Sequence, residues 1–226
     1  MMATRYWSNT LSVMSGRPNV SPRLKVFQSL ESRLQPALRQ RAEMITERIT
    51  SVIADLGSIS DEAGLMFGTL TGPQLNWKSS QKTWSVAQCL EHLITINSLY
   101  FPVFEKMRSG GVSNTFWEKH SPLSGFFGRY LIKASGPENP KKMKTSKKAY
   151  PSASEIGSDI VVRFQEHNKE LAGHIGAISH DVDLKTIITS PLAGFVTYSL
   201  DDCLTILVVH ERRHLLQAKR VMESFE

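Results

Sequence analysis

Apolar residues recur every three or four positions along most of this chain, and that rhythm predicts helices rather than strands. From Pro36, a residue suited to a helix's first turn, the stripe runs through Leu38, Ala42, Ile45, Ile49, Val52, Ile53, Leu56, Ala63, Met66, Phe67 and Leu70. Gly57 and Gly64 should weaken or bend this first helix, and Thr71-Gly72-Pro73 should stop it. A second helix opens after Trp84 at Ser85-Val86-Ala87-Gln88, a capping-box pattern, and carries Cys89, His92, Ile96, Leu99 and Val103 on one face. Pro102 should kink it or end its regular part, and Gly110-Gly111 should close it. Ser152-Ala153-Ser154-Glu155 predicts the cap of a third helix bearing Ile156, Ile160, Phe164, Leu171, Ile175 and Ile178. Ser199-Leu200-Asp201-Asp202 starts the last, whose stripe is Leu200, Cys203, Leu204, Leu207, His210, His214, Ala218 and Val221.

Four amphipathic helices without a strand pattern predict an all-α protein, a four-helix bundle. The first two helices are joined tightly and should be antiparallel. The roughly 40 residues between helices 2 and 3 are long enough to cross the bundle, so an up-down-down-up order is expected. Within that connection, residues 111–151 show no clear periodicity. Residues 1–30 are also aperiodic and rich in Ser, Arg, Pro and Asn, which sets the expected boundary: a basic, mobile tail over 1–36 and a bundle domain over 37–226. The missing acids in the tail also fit an organelle transit peptide, but an ordinary tail is the simpler reading.

The net charge of +6 raises the question of nucleic acid, and its distribution answers against it. Residues 1–30 carry +4 and residues 131–148 carry +5, leaving −3 for everything else. The basic excess therefore sits in a tail and a loop rather than on a folded face. No segment approaches the roughly 20 apolar residues of a membrane span, and no secretory leader is visible. Cys89 and Cys203 are too few for a disulfide framework, so a cytoplasmic protein without membrane or nucleic-acid partners is expected.

The densest chemistry lies in His210-Glu211-Arg212-Arg213-His214. Histidines at i and i+4 project from one helical face about one turn apart, within reach of one metal ion. The string also satisfies H-E-x-x-H, the zinc-protease signature. Those enzymes take a third ligand downstream, yet only 12 residues follow His214, so a third protein ligand is expected from earlier in the chain. The plainer reading is a pair of histidines satisfied by water or carbonyls at a bundle end; the paired spacing on an apolar stripe favours metal. His92 occupies the same kind of stripe on the second helix. Three imidazoles with a fourth position open describe a catalytic rather than a closed structural site. Glu211 is a candidate base, but it points about 100° from His210 and is expected at a packing edge or beside an arginine. Cys89 is read as core, His167 and His174 as structural or solvent-facing, and Trp77, Trp84 and Trp117 as core or loop anchors.

The segment Trp84-Ser85-Val86-Ala87-Gln88-Cys89-Leu90-Glu91-His92-Leu93, followed by His210-Glu211-Arg212-Arg213-His214 and Gln217, resembles the DinB superfamily over roughly residues 37–224. The resemblance implies a four-helix bundle that binds a divalent metal, commonly zinc or nickel, through three histidines. The matching positions are His92, His210 and His214. Members with assigned activities include metal-dependent transferases and isomerases acting with low-molecular-weight thiols. The expected function is thus a metal-dependent thiol S-transferase acting on a small-molecule substrate, with a homodimer compatible with it. The lysines Lys141, Lys142 and Lys144 would attract an acidic cofactor or substrate. A metal-dependent hydrolase using Glu211 and a non-catalytic metal-holding bundle are the alternatives.

Overall fold

The computed structural model describes residues 22–110, 123–139, 147–152, 154–178 and 182–225, and the backbone alone for 22–34 and Lys147. Residues 1–41 and 42–226 form two separate compact units. Of the first unit, residues 22–41 are described, and they are helical. The helices are α1 (Pro22–Phe67), α2 (Gly72–Asn76), α3 (Val86–Ser98), α4 (Phe101–Arg108), α5 (Leu123–Ser135), α6 (Ile160–Gly176) and α7 (Leu200–Met222). A short 3-10 turn covers Lys147–Ala149. Among the described residues the structure is mostly helical, with one small hairpin.

Capping explains where several helices begin. Ser85 caps α3 by accepting from the Gln88 backbone N–H at 3.1 Å, while the Gln88 side chain returns a bond to the Ser85 N–H. Ser199 and Asp202 form the same reciprocal pair at the start of α7. Of the two effects expected of Pro102, the end of the regular helix is the one observed. The proline sits in the first turn of a separate helix, α4, where its missing N–H leaves no bond unmade, and Leu99 and Tyr100 turn the chain between α3 and α4. Gly110 ends α4 at φ +69°, a conformation that glycine alone adopts freely.

Four expectations need correction. Pro36 lies inside α1 rather than in its first turn. The Leu, Lys, Gln, Glu and Arg residues preceding it are strong helix formers, which lets the helix run through the loss of one backbone bond. Ser152 does not cap the third long helix, which starts at Ile160 after Asp159. Its backbone is used instead to dock on α3: Gln88 donates to the Ser152 carbonyl at 2.6 Å, and the Ser152 N–H donates to Glu91 at 2.6 Å. Helix α5 occupies part of a segment expected to lack regular structure. Its large apolar residues Leu123, Phe126 and Tyr130 stay exposed, and it buries small ones, Ser124, Gly128, Ala134 and Ser135. A Cβ at Gly128 would collide with the Asp202 carboxylate, so close approach to the start of α7 requires glycine. Finally, Ile187–Thr189 (β1) pairs antiparallel with Thr197–Ser199 (β2), Ile188 opposite Tyr198. Three-residue strands are too short to leave an alternating pattern.

The core of the second unit is drawn from α1, α3, α4, α6 and α7, with Val52, Leu56, Leu90, Phe104, Phe164, Leu171 and Leu204 fully enclosed. Side-chain bonds tie α1 to its neighbours from outside: Arg212 to Asp55 at 2.7 Å, Arg48 to Asp201 at 2.5 Å, and Gln165 to the Ser60 carbonyl at 3.1 Å. Among the described residues no helix is long and apolar enough to cross a membrane.

Phe164→Ala should cost about 3–5 kcal/mol, the usual effect of emptying a large aromatic site in a packed core. Urea unfolding would measure it. A loss below about 1 kcal/mol would mean that α6 does not seal the core as described.

Candidate metal centre

Two helices bring three imidazoles together. On α7, His210 and His214 follow Leu207 and precede Ala218 on the buried stripe, so both project toward α3. On α3, His92 lies between Cys89 and Ile96 on the corresponding stripe. The ring centroids are 5.3 Å apart for His92 and His210, 4.6 Å for His92 and His214, and 4.6 Å for His210 and His214. Ligand-capable atoms of the three residues all lie within 4.8 Å of one another.

The orientation of each ring has a cause. The His92 Nδ1–H donates to the Ala149 carbonyl at 2.6 Å, which fixes the tautomer and leaves Nε2 as the free nitrogen. Ala149 is held by the 3-10 turn, itself adjacent to the Ser152 segment docked on α3. Nε2 of His210 and Nε2 of His214 face each other at 3.1 Å. Trp84 covers the cluster, stacked on His214 at 5.6 Å and 23° and lying 4.7 Å from His92. The exposed Tyr150 meets Trp84 edge-on at 5.9 Å.

Burial makes all three imidazoles poor bases. It pushes His210 down to about 3, with His92 and the Arg213 guanidinium adding to the fall. His214 is held well below the ordinary histidine range, first by burial and then by His210, His92 and Arg213. His92 is lowered by burial, with the Ala149 bond opposing. Each ring is therefore neutral at pH 7, the form that ligates metal. The spacing also fits: two nitrogens about 2.0–2.1 Å from one tetrahedral ion stand about 3.3 Å apart, close to the 3.1 Å separating Nε2 of His210 and His214. A set of three neutral nitrogen donors suits a borderline divalent ion better than calcium or magnesium, which prefer oxygen.

Glu211 departs from expectation. It is fully buried and lies neither at a packing edge nor against an arginine. Asn97 of α3 donates to Oε1 at 2.6 Å, and Asn168 of α6 donates to Oε2 at 2.9 Å. Burial pushes its carboxyl up to about 8, against the opposing effects of the two amides and Arg212. Arg212 instead pairs with Asp55, and Arg213 donates to the Gly136 and Asn139 carbonyls at 2.9 and 2.7 Å. Cys89 is fully buried, and burial pushes its thiol up, as befits a core residue. His167 and His174 do not join the cluster; both stack on Phe101, and His174 approaches Glu105 at 3.3 Å. Trp77 packs edge-on against Phe225. Lys141, Lys142, Lys144 and Trp117 lie outside the described residues.

Sequence reading missed three parts of this site. Trp84 reads as an anchor, although its position just before the α3 cap signals that it stands beside the start of the His92 helix. The Ala149 carbonyl carries no side-chain signal at all. Asn97 and Asn168 lie on otherwise apolar stripes, and buried amides there demand partners.

In comparison with known proteins, a family model described as the DinB superfamily matches residues 63–218, a span containing all three histidines. No curated protein and no solved structure matched the chain.

The buried neutral histidines predict acid sensitivity in the metal-free protein. The unfolded chain takes up protons near the ordinary histidine value of about 6.5, whereas folded His210 stays neutral down to about 3. Below about pH 6.5 the unfolded state thus binds more protons, and stability falls as pH falls, by up to about 1.4 kcal/mol per unit for each such histidine. Glu211, raised to about 8, contributes the opposite slope in the same window. The readout is therefore the difference between proteins: in denaturant titrations at pH 7, 6 and 5, the unsubstituted protein should lose more stability toward acid than His210→Gln. Equal slopes would mean that the His210 ring is protonated when folded.

Proposed function

This chain belongs to the DinB superfamily, and we propose that it holds one divalent metal, zinc or nickel, through His92, His210 and His214 and uses it in low-molecular-weight thiol transfer to a small molecule. The observation that carries this reading is the convergence within 4.8 Å of three neutral imidazoles, His92 and His214 buried and His210 partly so. Three protein ligands leave a coordination position for an exogenous group. A bound divalent ion supplies thiolate at neutral pH by lowering the pKa of a thiol. The protein's own contribution is binding and orientation. His92 is aimed by the Ala149 carbonyl, His210 and His214 are aimed by one helical turn, and Trp84 limits water on the side it covers.

The hydrolytic alternative needs Glu211 as a base near the ion. Both Glu211 oxygens accept from asparagine amides within the core, which favours the thiol reading over that one. Within the same proposal the long helices form a four-helix bundle in up-down-down-up order. The long connection between α4 and α6 supports that order.

Metal analysis of the purified protein should find about one zinc or nickel per chain. His92→Ala, His210→Ala and His214→Ala should each weaken binding on the order of tenfold or more. Calorimetric titration of the metal-loaded protein with glutathione, cysteine and coenzyme A should find a thiol that binds, with the three variants losing it. Metal without affinity for any thiol would replace the transferase with a metal-holding protein. His92→Ala with full affinity would remove the three-histidine site altogether.

A further inference from the structure

The H-E-x-x-H string places a glutamate between two histidines, and its carboxylate is turned away from them into the core. Glu211 is completely enclosed, and the two groups that hold it come from two other helices: Asn97 on α3 and Asn168 on α6. Both asparagines are themselves buried. Each carboxylate oxygen takes one amide N–H, at 2.6 and 2.9 Å. This three-helix clamp joins the helix that carries His92 directly to the helix that carries His210 and His214. Asn97 is about 7.5 Å along α3 from His92, and Glu211 is adjacent to His210, so the clamp acts within about one and a half turns of the rings.

The geometry matters because of a mismatch in tolerances. Apolar packing between α3 and α7 is non-directional, and leucine and isoleucine contacts survive a small roll or slide of one helix on another. A metal site does not. A roll of about 10° moves an atom about 6 Å from a helix axis by about 1 Å, while ligand distances must be right to about 0.2 Å. Directional bonds to a buried carboxylate discriminate between such arrangements, since a rolled α7 leaves amides and carboxylate unpaired in the core at about 1–3 kcal/mol each. Buried polar groups elsewhere fix register in this way, at a cost in stability.

We propose that Glu211 is a positioning residue: through Asn97 and Asn168 it sets the roll and register of α7, so that His210 and His214 meet His92 in the geometry that holds a metal. The assignment rests on the three-histidine metal reading above. It differs from a catalytic role for Glu211, because the carboxylate acts through the helices and touches neither metal nor substrate. It differs also from a purely stabilising role, because an apolar core would then serve as well.

Cobalt(II) is the probe, since its absorption spectrum reports ligand geometry and its titration reports affinity. Glu211→Gln keeps the volume but cannot accept from both amides at once. It should fold, weaken cobalt binding about 10–100-fold, as loss of an outer partner does, and change the cobalt spectrum. A second variant replaces the whole clamp, Asn97→Leu, Asn168→Leu and Glu211→Leu together, and leaves no buried polar group behind. Its melting temperature should match or exceed that of the unsubstituted protein, while its cobalt affinity stays at least about tenfold lower. If either folded variant binds cobalt with unchanged affinity and spectrum, Glu211 is only a structural residue and the proposal is overturned. If the unsubstituted protein binds no cobalt, zinc or nickel, the metal reading itself fails and this inference falls with it. The two failures are separated by that control.

Discussion

Polar groups buried between α3, α6 and α7 constrain this structure more than any apolar contact does. His92, His214, Glu211, Asn97 and Asn168 are all enclosed, and His210 is mostly so. An apolar core tolerates exchange of one hydrophobic residue for another of like size. A buried amide or carboxylate tolerates no loss of its partner. The relative placement of the three helices is therefore held by directional bonds at one level and by facing imidazoles at the next.

Neutrality follows from the same burial. Three imidazolium ions packed with centroids 4.6–5.3 Å apart would repel one another in a medium that cannot screen them. Desolvation removes that state by pushing His210 and His214 far below the ordinary range. What remains is a set of neutral ring nitrogens facing one another, two of them at 3.1 Å, a good arrangement around a cation. The bond that His92 Nδ1–H donates to the Ala149 carbonyl is consistent with a ring aimed by its outer nitrogen.

Peripheral segments serve the site indirectly. The Ser152 segment docks on Gln88 and Glu91, which places the nearby Ala149 carbonyl beside His92. Arg213, between the two site histidines in sequence, reaches outward to the Gly136 and Asn139 carbonyls and fastens the end of α5 to α7. At the other end of α5, Gly128 lets the backbone approach Asp202 in the α7 capping box. The connection between α4 and α6 is thus a structured part of the molecule wherever it is described.

How much of this was legible in the chain depends on whether a feature is local. Helical periodicity, the Ser85 and Ser199 caps, the stop at Gly110 and the i, i+4 histidine pair are local, and each could be read from a few neighbouring residues. So could His92 as a histidine on a buried stripe, with the three placed together once their helices face each other. Features that join distant segments could not be read. Ser152 has the composition of a cap, but contacts with α3 claimed its backbone; the small residues of α5 acquire meaning only against α7. The angle of Glu211 from His210 points to a packing edge or an arginine partner, but that angle says nothing of what surrounds the carboxyl. Its partners lie 114 and 43 residues away, and no local rule reaches that far. The sequence alone determined the four long helices and which face of each is apolar; tertiary structure decided which buried polar group meets which, because hydrogen bonds across helices depend on their roll and register.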